Sequence, residues 1–269
     1  KIVATGAGVP GAIAAGQSAA LIHEMPLKGW EANTPLEFGM FGATTGKRRD
    51  WTFRHITIHQ TLSAVFVETE FGKVQVTTAA ATGLDLARWH DLSLGVRGLD
   101  HALREKLATK NDIDAALRRA YGQHGVADMR NAALLATPWS ESPRESDMKV
   151  ALWKEGLPAP LQQVNLYGAN GEFLARLDFF WPHIGLGTEY DGGGKFAGEH
   201  GVPVEVAAIK DVRRQHKISN LGVLNFRVDN TSARSGRAIP DLVAMYRRVE
   251  ARGLPLDQRF WKSVGGPAW

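Results

Sequence analysis

The stretch that decides the fold of the C-terminal half is residues 173–192, FLARLDFFWPHIGLGTEYDG. It contains two strand-like runs, 173–180 and 184–190, each bounded by turn-forming residues. Asp178 lies inside the first strand, whereas Glu189 and Asp191 lie at the end of the second. Because residues two apart in a strand point to one face, Glu189 and Asp191 share a direction, and the adjacent strand brings Asp178 beside them. The sequence therefore predicts three converging carboxylates.

The segments around this stretch predict a small α/β domain. Upstream, Ser142-Pro143-Arg144-Glu145 indicates a helix start, with a capping Ser, Pro at the first helical position and Glu145 at the capping-box position. The other predicted elements are a strand at 162–166, a hairpin turn at 168–171, a helix at 204–220, a strand at 223–228 and a helix at 239–252. The resulting order is α–β–β–β–α–β–α.

The N-terminal half has a different pattern. Residues 137–143, TPWSESP, are polar and broken by proline, so we expect two domains, 1–139 and 140–269. The first domain has predicted helices at 17–23, 82–105 (with a break near Gly95), 111–121 and 126–136, a strand at 55–59 and a hairpin at 64–78. It is expected to be a mainly helical module with a small sheet. The predicted fold class is α/β, and α+β overall.

Composition narrows the function without deciding it. The chain has 269 residues and no cysteine, so disulfides and thiolate zinc sites are excluded and a reducing cytoplasm is the expected compartment. No run of roughly eighteen apolar residues occurs, so we expect no contact with a membrane interior. The net charge of +4 favours a polyanionic partner. Lys1 is not a start methionine, and we expect the numbering to begin inside a longer gene product.

The predicted carboxylates suit a divalent cation. Carboxylates crowded at a strand end repel one another unless a cation neutralises them, and hard oxygen ligands on a rigid sheet suit Mg²⁺ or Mn²⁺. We expect Asp178, Glu189 and Asp191 to hold the metal, Glu145 to act through a water, and Lys195 to contact the water or a phosphate. A structural interpretation stays open, since a carboxylate at a strand end is often solvated or part of a turn.

Four stretches resemble an actinobacterial protein family with a C-terminal Vsr-like, PD-(D/E)XK-type endonuclease domain, related to AbiEi-type antitoxins. They are residues 141–146 (ESPRES), 176–182 (RLDFFWP), 189–196 (EYDGGGKF) and 213–214 (RR) leading to 221–224 (LGVL). The resemblance implies a restriction-endonuclease-like fold with Glu145, Asp178, Glu189 and Asp191 at a metal site. Residues 16–23, GQSAALIH, resemble the same family more faintly, and the family implies a winged-helix segment before Lys1.

Two departures from the family pattern bear on activity. Asp191 replaces the usual lysine of the D…ExK pattern, and Gln215 stands where an acidic residue is expected. The resemblance implies a DNA-interacting protein that hydrolyses phosphodiester bonds with Mg²⁺ or Mn²⁺. The alternatives are a catalytically inactive DNA-binding regulator of the antitoxin type, with a partner toxin or as a homodimer, and an interaction domain with no nucleic-acid role.

Basic residues on the helix after the site predict phosphate contacts. Arg213, Arg214 and Lys217 lie close together in the sequence, although such a run is also typical of a solvated helix face. We expect replacement of Arg213 and Arg214 with Ala to flatten the salt dependence of DNA binding. We also expect Glu189→Ala to abolish cleavage and leave the fold intact.

Overall fold

The structure, a computed structural model, describes residues 1–31, 34–42, 46–47, 50–191 and 204–269. The chain forms two compact units, Lys1–Pro138 and Trp139–Trp269, so the boundary falls one residue before the expected position. Each unit has one mixed sheet with helices, and the chain is α+β. In the described ranges, no helix has both the length and the apolar composition that a membrane crossing requires.

The sheet of the first unit has six strands in the order β3-β4-β2-β1-β6-β5. They are β1 (Ile13–Ala14), β2 (Leu36–Phe41), β3 (Gly46–Lys47), β4 (Trp51–Ile56), β5 (Val65–Thr69) and β6 (Gly72–Val76). The predicted hairpin is confirmed as β5 and β6, which pair antiparallel. The sequence pattern did not predict β1, β2 and β3. Strands β1 and β3 have two residues each and are too short to show an alternating pattern.

The helices of the first unit are α1 (Ile2–Gly8), α2 (Gly16–Ile22), α3 (Ile58–Leu62), α4 (Ala79–Trp89), α5 (Leu92–Arg104), α6 (Lys110–Arg119) and α7 (Val126–Leu135).

The predicted strand at 55–59 is wrong beyond Ile56, where β4 ends and α3 follows. Helix α3 starts directly after β4 because Thr57 and Gln60 cap it reciprocally. The Gln60 backbone N–H donates to Thr57 Oγ1 at 3.2 Å, and the Thr57 N–H donates to Gln60 Oε1 at 3.0 Å.

The predicted long helix at 82–105 is two helices, α4 and α5, and the break lies at residues 90–91 rather than near Gly95. The two helices are separate because Asp91 caps the start of α5, where its side chain accepts the Leu94 N–H at 2.8 Å. Gly95 has another role. A Cβ built on Gly95 would lie 2.4 Å from the Ala87 Cβ and 2.7 Å from its Cα, so α4 and α5 approach each other there.

We expect Gly95→Ala to lower the free energy of unfolding of the first unit by about 1–3 kcal/mol, because the backbone of α4 cannot make room for a methyl group. Chemical denaturation measures the loss. Gly8→Ala is the matched control, since a Cβ at Gly8 meets nothing within 4 Å. If Gly95→Ala is as stable as Gly8→Ala, the close approach of the two helices does not hold.

A buried ion pair in α4 joins Asp85 to Arg88. Arg88 Nη2 lies 2.7 Å from Asp85 Oδ1, and the two side chains are 3% and 0% exposed. Arg88 also donates to Gln123 and lies 4.4 Å from the centre of the Trp89 ring. Burial raises the pKa of Asp85 to about 6, although Arg88 opposes the rise. The two charges in this pair compensate each other inside the unit.

A second buried carboxylate, Glu37 in β2, ties several elements of the first unit together. It accepts the Gln17 backbone N–H at 2.8 Å, and Arg54 Nη2 at 2.9 Å. His90 Nε2 lies 2.9 Å from Glu37 Oε2, the oxygen that also accepts the Gln17 N–H. Although burial alone would raise it, these hydrogen bonds, led by His90, hold the pKa of Glu37 below its ordinary value. The carboxylate therefore stays ionised in the folded unit near neutral pH.

The second unit has the predicted order, which is confirmed, with a short extra helix and an extra edge strand. Its helices are α8 (Pro143–Lys154), α9 (Val204–Asn220), α10 (Asn230–Arg234) and α11 (Ala238–Glu250), with a 3-10 helix at Gln258–Phe260. Its strands are β7 (Leu161–Tyr167), β8 (Phe173–Trp181), β9 (Leu186–Asp191), β10 (Leu224–Asp229) and β11 (Trp261–Ser263). The sheet order is β10-β9-β8-β7-β11. Strands β9 and β10 are parallel, and the other neighbours are antiparallel.

Helices cover both faces of this sheet. Phe179 and Trp181 of β8 pack in one core with residues of α8 and α11. Phe180, which lies between them in the strand, packs in another core with Ile218 of α9. Because adjacent residues of a strand point to opposite faces, α8 and α11 lie on one side of the sheet and α9 on the other. The unit is therefore a three-layer α/β/α arrangement.

Candidate functional site

Four polar residues lie in line across the sheet of the second unit. Gln162 pairs with Phe179 and Val164 pairs with Leu177, so Gln163 and Asp178 stand between these two β7–β8 pairs. The β8–β9 register, continued by one residue past its last pair, places Asp178 opposite Glu189. Glu189 in turn pairs with Arg227 of β10. We call Gln163, Asp178, Glu189 and Arg227 the polar row. It brings two of the predicted site residues onto neighbouring strands.

The sheet is irregular where the polar row crosses β7 and β8. Gln163 has a positive φ of 52°, a conformation that costs a side-chain-bearing residue about 1–3 kcal/mol. In β8, Leu177 packs in the core under α9, whereas Phe179 packs in the core under α8 and α11. Residues two apart normally share a face, so the alternation breaks at Asp178. Such local strain often occurs at functional sites.

Glu145 joins the polar row from α8. Ser142 caps the helix, as predicted, and accepts the Glu145 N–H at 3.3 Å. The capping box differs from the expected one. The Glu145 carboxylate accepts the backbone N–H of Glu141 at 2.9 Å and the Ser142 hydroxyl at 2.8 Å, rather than the Ser142 backbone N–H. Gln163 Nε2 donates to the same carboxylate at 3.0 Å. Burial raises the pKa of Glu145, which favours its protonated form.

Gln163 has a buried oxygen that its surroundings leave unsatisfied. The residue is 2% exposed, and its Oε1 has no hydrogen-bond partner among the residues that the structure describes. Leaving a buried amide oxygen without a donor costs about 1–3 kcal/mol. The oxygen belongs to the amide that bonds Glu145 of α8. A buried water would satisfy this atom.

Asp178 is bound to the backbone of the next strand. Its Oδ2 accepts the Tyr190 N–H at 2.7 Å, beyond the last regular β8–β9 pair. The Tyr190 hydroxyl donates to Asn230 Oδ1 at 2.8 Å. The sequence places Asp178 among Leu177, Phe179 and Phe180, where an unpartnered charge is costly. The backbone N–H of Tyr190 explains how an aspartate is accommodated there.

Glu189 is paired with a cation of the protein itself. The residue is 3% exposed, and its two carboxylate oxygens accept Arg214 Nη1 at 3.2 and 3.1 Å. Arg214 Nη2 donates to Oε2 at 3.1 Å, and Asn225 Nδ2 donates to Oε1 at 2.9 Å. Such bidentate contacts are among the stronger ion pairs in proteins. Arg214 therefore lies in the site, although the sequence predicted it as a nucleic-acid contact.

The pair belongs to a balanced network on the α9 side of the sheet. Arg214 Nε and Nη2 donate to Asp211 Oδ1 at 3.2 and 3.0 Å, and Arg227 donates to Asp211 Oδ2. Although burial alone would raise it, the bonds from Arg227 and Arg214 hold the pKa of Asp211 below its ordinary value. Glu189 counters the effect of burial on Arg214 and raises its pKa. Among the described side chains of this network, two carboxylates thus face two guanidinium groups.

The remaining predicted ligands lie at the end of β9. Asp191 is the last residue of that strand and pairs with Asp229 of β10, but its side chain is outside the described part of the chain. Lys195 lies within 192–203, which is also outside it. Among the side chains that are described, no group of three or more His, Cys, Asp or Glu is placed to hold a metal ion. The shared cation of Asp178, Glu189 and Asp191 stays a prediction.

The predicted nucleic-acid residues of α9 separate into two groups. Arg213 and Lys217 are exposed, whereas Arg214 is half-buried against Glu189. Adjacent residues in a helix differ in direction by about 100°, so Arg213 and Arg214 face different surroundings. The exposed surface of α9 also includes Lys210 and His216. In the described arrangement Arg214 contacts Glu189 and Asp211, and its expected contact with a phosphate stays a prediction.

Sequence reasoning missed several residues near the site, among them Lys149, Asn225 and Gln163. Lys149 is 0% exposed and follows Glu145 by one turn of α8. Its signal was its position among the apolar residues of the helix face, since a buried lysine needs partners. Asn225 and Gln163 contact Glu189 and Glu145, respectively. A lone amide in a strand gives no signal of its own, so those two contacts depended on the fold.

The comparisons with known proteins give no activity. No family model matches the chain. The chain is 29% identical over 179 residues to two proteins of Mycobacterium tuberculosis, Uncharacterized protein MT2308 of strain CDC 1551 / Oshkosh and Uncharacterized protein Rv2248 of strain ATCC 25618 / H37Rv. The matched part is 66% of this chain and 64% of each relative. The chain thus spans less than two thirds of the curated relatives that it matches.

Proposed function

We propose that the second unit binds DNA and hydrolyses phosphodiester bonds with a divalent cation, Mg²⁺ or Mn²⁺. The observation that carries this proposal is the polar row, in which Asp178 stands opposite Glu189 on adjacent strands. Glu145 joins the row through Gln163. The α–β–β–β–α–β order and the resemblance to Vsr-like PD-(D/E)XK domains support the same function. The activity of the whole protein is part of the proposal.

The residue types around the polar row are types that bind divalent cations. Asp178, Glu189 and Asp191 offer the hard carboxylate oxygens that Mg²⁺ and Mn²⁺ bind. A bound cation would lower the pKa of a water and stabilise charge on the scissile phosphate. The raised pKa of Glu145 lets that carboxyl hold a proton closer to neutral pH, which suits proton transfer in the site.

A second candidate function is DNA binding without cleavage, as in an antitoxin-type regulator. The observation that favours it is Glu189, whose oxygens are already bound by Arg214 and Asn225. Gln215, in place of the acidic residue that the resemblance implies, points the same way. Both candidates require DNA binding, and they differ in whether the carboxylates of the row act on a phosphodiester.

Nicking of supercoiled plasmid DNA tests the proposed hydrolysis. We expect weak nicking with Mn²⁺ and less with Mg²⁺, because Mg²⁺ demands stricter octahedral geometry. Asp178→Asn should remove the activity, since it replaces a charged oxygen of the row. Asp241→Asn, at an exposed position in α11, is the matched control and should nick as fast as the wild type. Undiminished nicking by pure Asp178→Asn protein would place the activity elsewhere.

The exposed cations of α9 give a separate prediction about binding. The double variant Arg213→Ala, Lys217→Ala should reduce the slope of log K against log salt by about 2, because each lost phosphate contact removes about 0.9 from it. Fluorescence anisotropy of a labelled duplex measures this slope. Arg259→Ala is the control, since Arg259 pairs with Asp257 near the C-terminus. An unchanged slope in the double variant would exclude α9 from the DNA contact.

A further inference from the structure

Arg214 supports an inference about regulation of this site, which rests on the proposed function. We propose that Arg214 and a divalent cation compete for Glu189, and that a DNA phosphate relieves the competition by drawing the guanidinium to itself. Cation binding and DNA binding then reinforce each other. Arg214 is in this sense a positioning residue, because it acts on the cation through Glu189.

The competition follows from the contacts of Glu189. Four N–H···O contacts of 2.9 to 3.2 Å, three from Arg214 and one from Asn225, use both of its oxygens. A divalent cation bound to a carboxylate oxygen lies about 2.1 Å from it. The guanidinium and the cation would then be neighbours on one carboxylate, where like charges in a buried site repel strongly. Binding of the cation therefore requires Arg214 to withdraw from Glu189.

Arg214 has a route by which to withdraw. Its side chain is 25% exposed, and Nε and Nη2 also bond Asp211, which holds the guanidinium near the surface of α9. Lys210 and Lys217, both exposed, lie four residues before and three residues after it, so all three cations share one side of the helix. A phosphate attracted there meets a planar guanidinium fork, which matches two phosphate oxygens.

Thermodynamic linkage then gives a measurable effect. If a phosphate favours the withdrawn position of Arg214, DNA raises the affinity for the cation, and the cation raises the affinity for DNA by the same factor. Couplings between two sites in proteins are commonly between about 5-fold and 150-fold. We expect a coupling of about tenfold here.

Mn²⁺ binding followed by electron paramagnetic resonance tests the competition without any measurement of cleavage. The probe is Mn²⁺ alone, added to the full chain. Arg214→Met should bind Mn²⁺ about tenfold more tightly than the wild type. Arg214→Lys, which keeps a charge near Asp211, should lie between them and serves if Arg214→Met fails to fold. Arg213→Met is the matched control, because it removes the same charge from the exposed face of α9 and should bind Mn²⁺ like the wild type.

The coupling is measured by repeating the titration with a short DNA duplex and subtracting the Mn²⁺ that the duplex binds alone. The wild type should gain about tenfold in Mn²⁺ affinity, and the Arg214 variants should gain much less. Wild-type Mn²⁺ binding that is equally strong in the Arg214 variants overturns the inference and leaves the proposed function standing. Mn²⁺ binding that is detected in the Arg214 variants but not in the wild type supports the inference and favours the non-cleaving candidate. No Mn²⁺ binding in any variant, with or without DNA, overturns both.

Discussion

Asp85→Ala is expected to lower the free energy of unfolding of the first unit by about 3–5 kcal/mol, because it leaves the guanidinium of Arg88 buried without its carboxylate. The Arg88 side chain is only 3% exposed, so water cannot replace the lost partner. Gln123 and the ring of Trp89 still contact Arg88, but neither carries a negative charge. Hydrogen exchange followed by mass spectrometry measures the loss separately in each unit.

Two further variants identify the cause of that loss. Glu105→Ala breaks the exposed pair with Arg104, whose side chains are 50% and 32% exposed, and should cost less than about 1 kcal/mol. The double variant Asp85→Leu, Arg88→Met removes both charges and should recover most of the stability. If Asp85→Ala is no more destabilising than Glu105→Ala, the pair makes little difference to the unit.

The same pair gives a pH dependence with a definite sign. The pKa of Asp85 is raised from 3.8 to about 6, so the folded unit binds the proton more tightly than the unfolded chain does. Proton binding to Asp85 therefore contributes to the free energy of unfolding. This proton-linked contribution is fully present below pH 3.8 and is lost as the pH rises through about 6. Glu37, with its lowered pKa, contributes stability that is lost as the pH falls. Asp85→Asn, compared with the wild type across this range, isolates the first contribution.

Glu189→Ala is expected to abolish nicking and also to destabilise the second unit, by about 3 kcal/mol. The sequence alone predicted no cost to the fold, whereas the burial and contacts of Glu189 predict this loss of stability. Glu189 is 3% exposed, and its removal leaves Arg214 half-buried, with Asp211 as its remaining carboxylate partner in the described part of the chain. The loss falls at the lower end for a broken buried pair because Arg214 is 25% exposed.

Glu189→Gln separates the two effects. An amide keeps the shape of the side chain and an acceptor for Arg214, so the loss of stability should be smaller while nicking still fails. Urea denaturation of both variants, together with the plasmid assay, measures stability and activity on the same samples. A Glu189→Ala protein as stable as the wild type would contradict the buried pair. Nicking that survives in both variants would exclude Glu189 from the chemistry.

Local signals in the sequence were enough to predict the element order of the second unit. Ser142 and Pro143 fix the start of α8, and the glycines at 168 and 171 mark the β7–β8 turn, where Gly171 has a φ of 77°. These signals act over a few residues and need no tertiary contact. The placement of Asp178 and Glu189 on neighbouring strands followed from the same order. The hydrogen-bond and ion-pair partners of those carboxylates did not follow from the element order.

The partner of Glu189 could not be predicted because it is 25 residues away in the sequence. A run of basic residues does not say which member faces the sheet. One usable signal was present in the sequence, since the apolar Ile218 follows Arg214 by four residues and so shares its side of α9. The structure shows that Ile218 is fully buried. Strands β1 and β3 of the first unit were missed for a different reason. Strands of two residues owe their form to their neighbours rather than to their own pattern.

The polar row has a consequence for how such a domain can diverge. It crosses β8 at one residue, Asp178, and β8 also supplies Phe179 and Trp181 to one core and Phe180 to the other. A slip of β8 by one residue would exchange every side chain between the two faces and disperse both cores together with the row. Single substitutions can remove the polar side chains of the row, but a stepwise change of strand register cannot move the row to another position in the sheet. Divergent chains with this architecture should therefore either keep the row at this crossing or carry its remnants there.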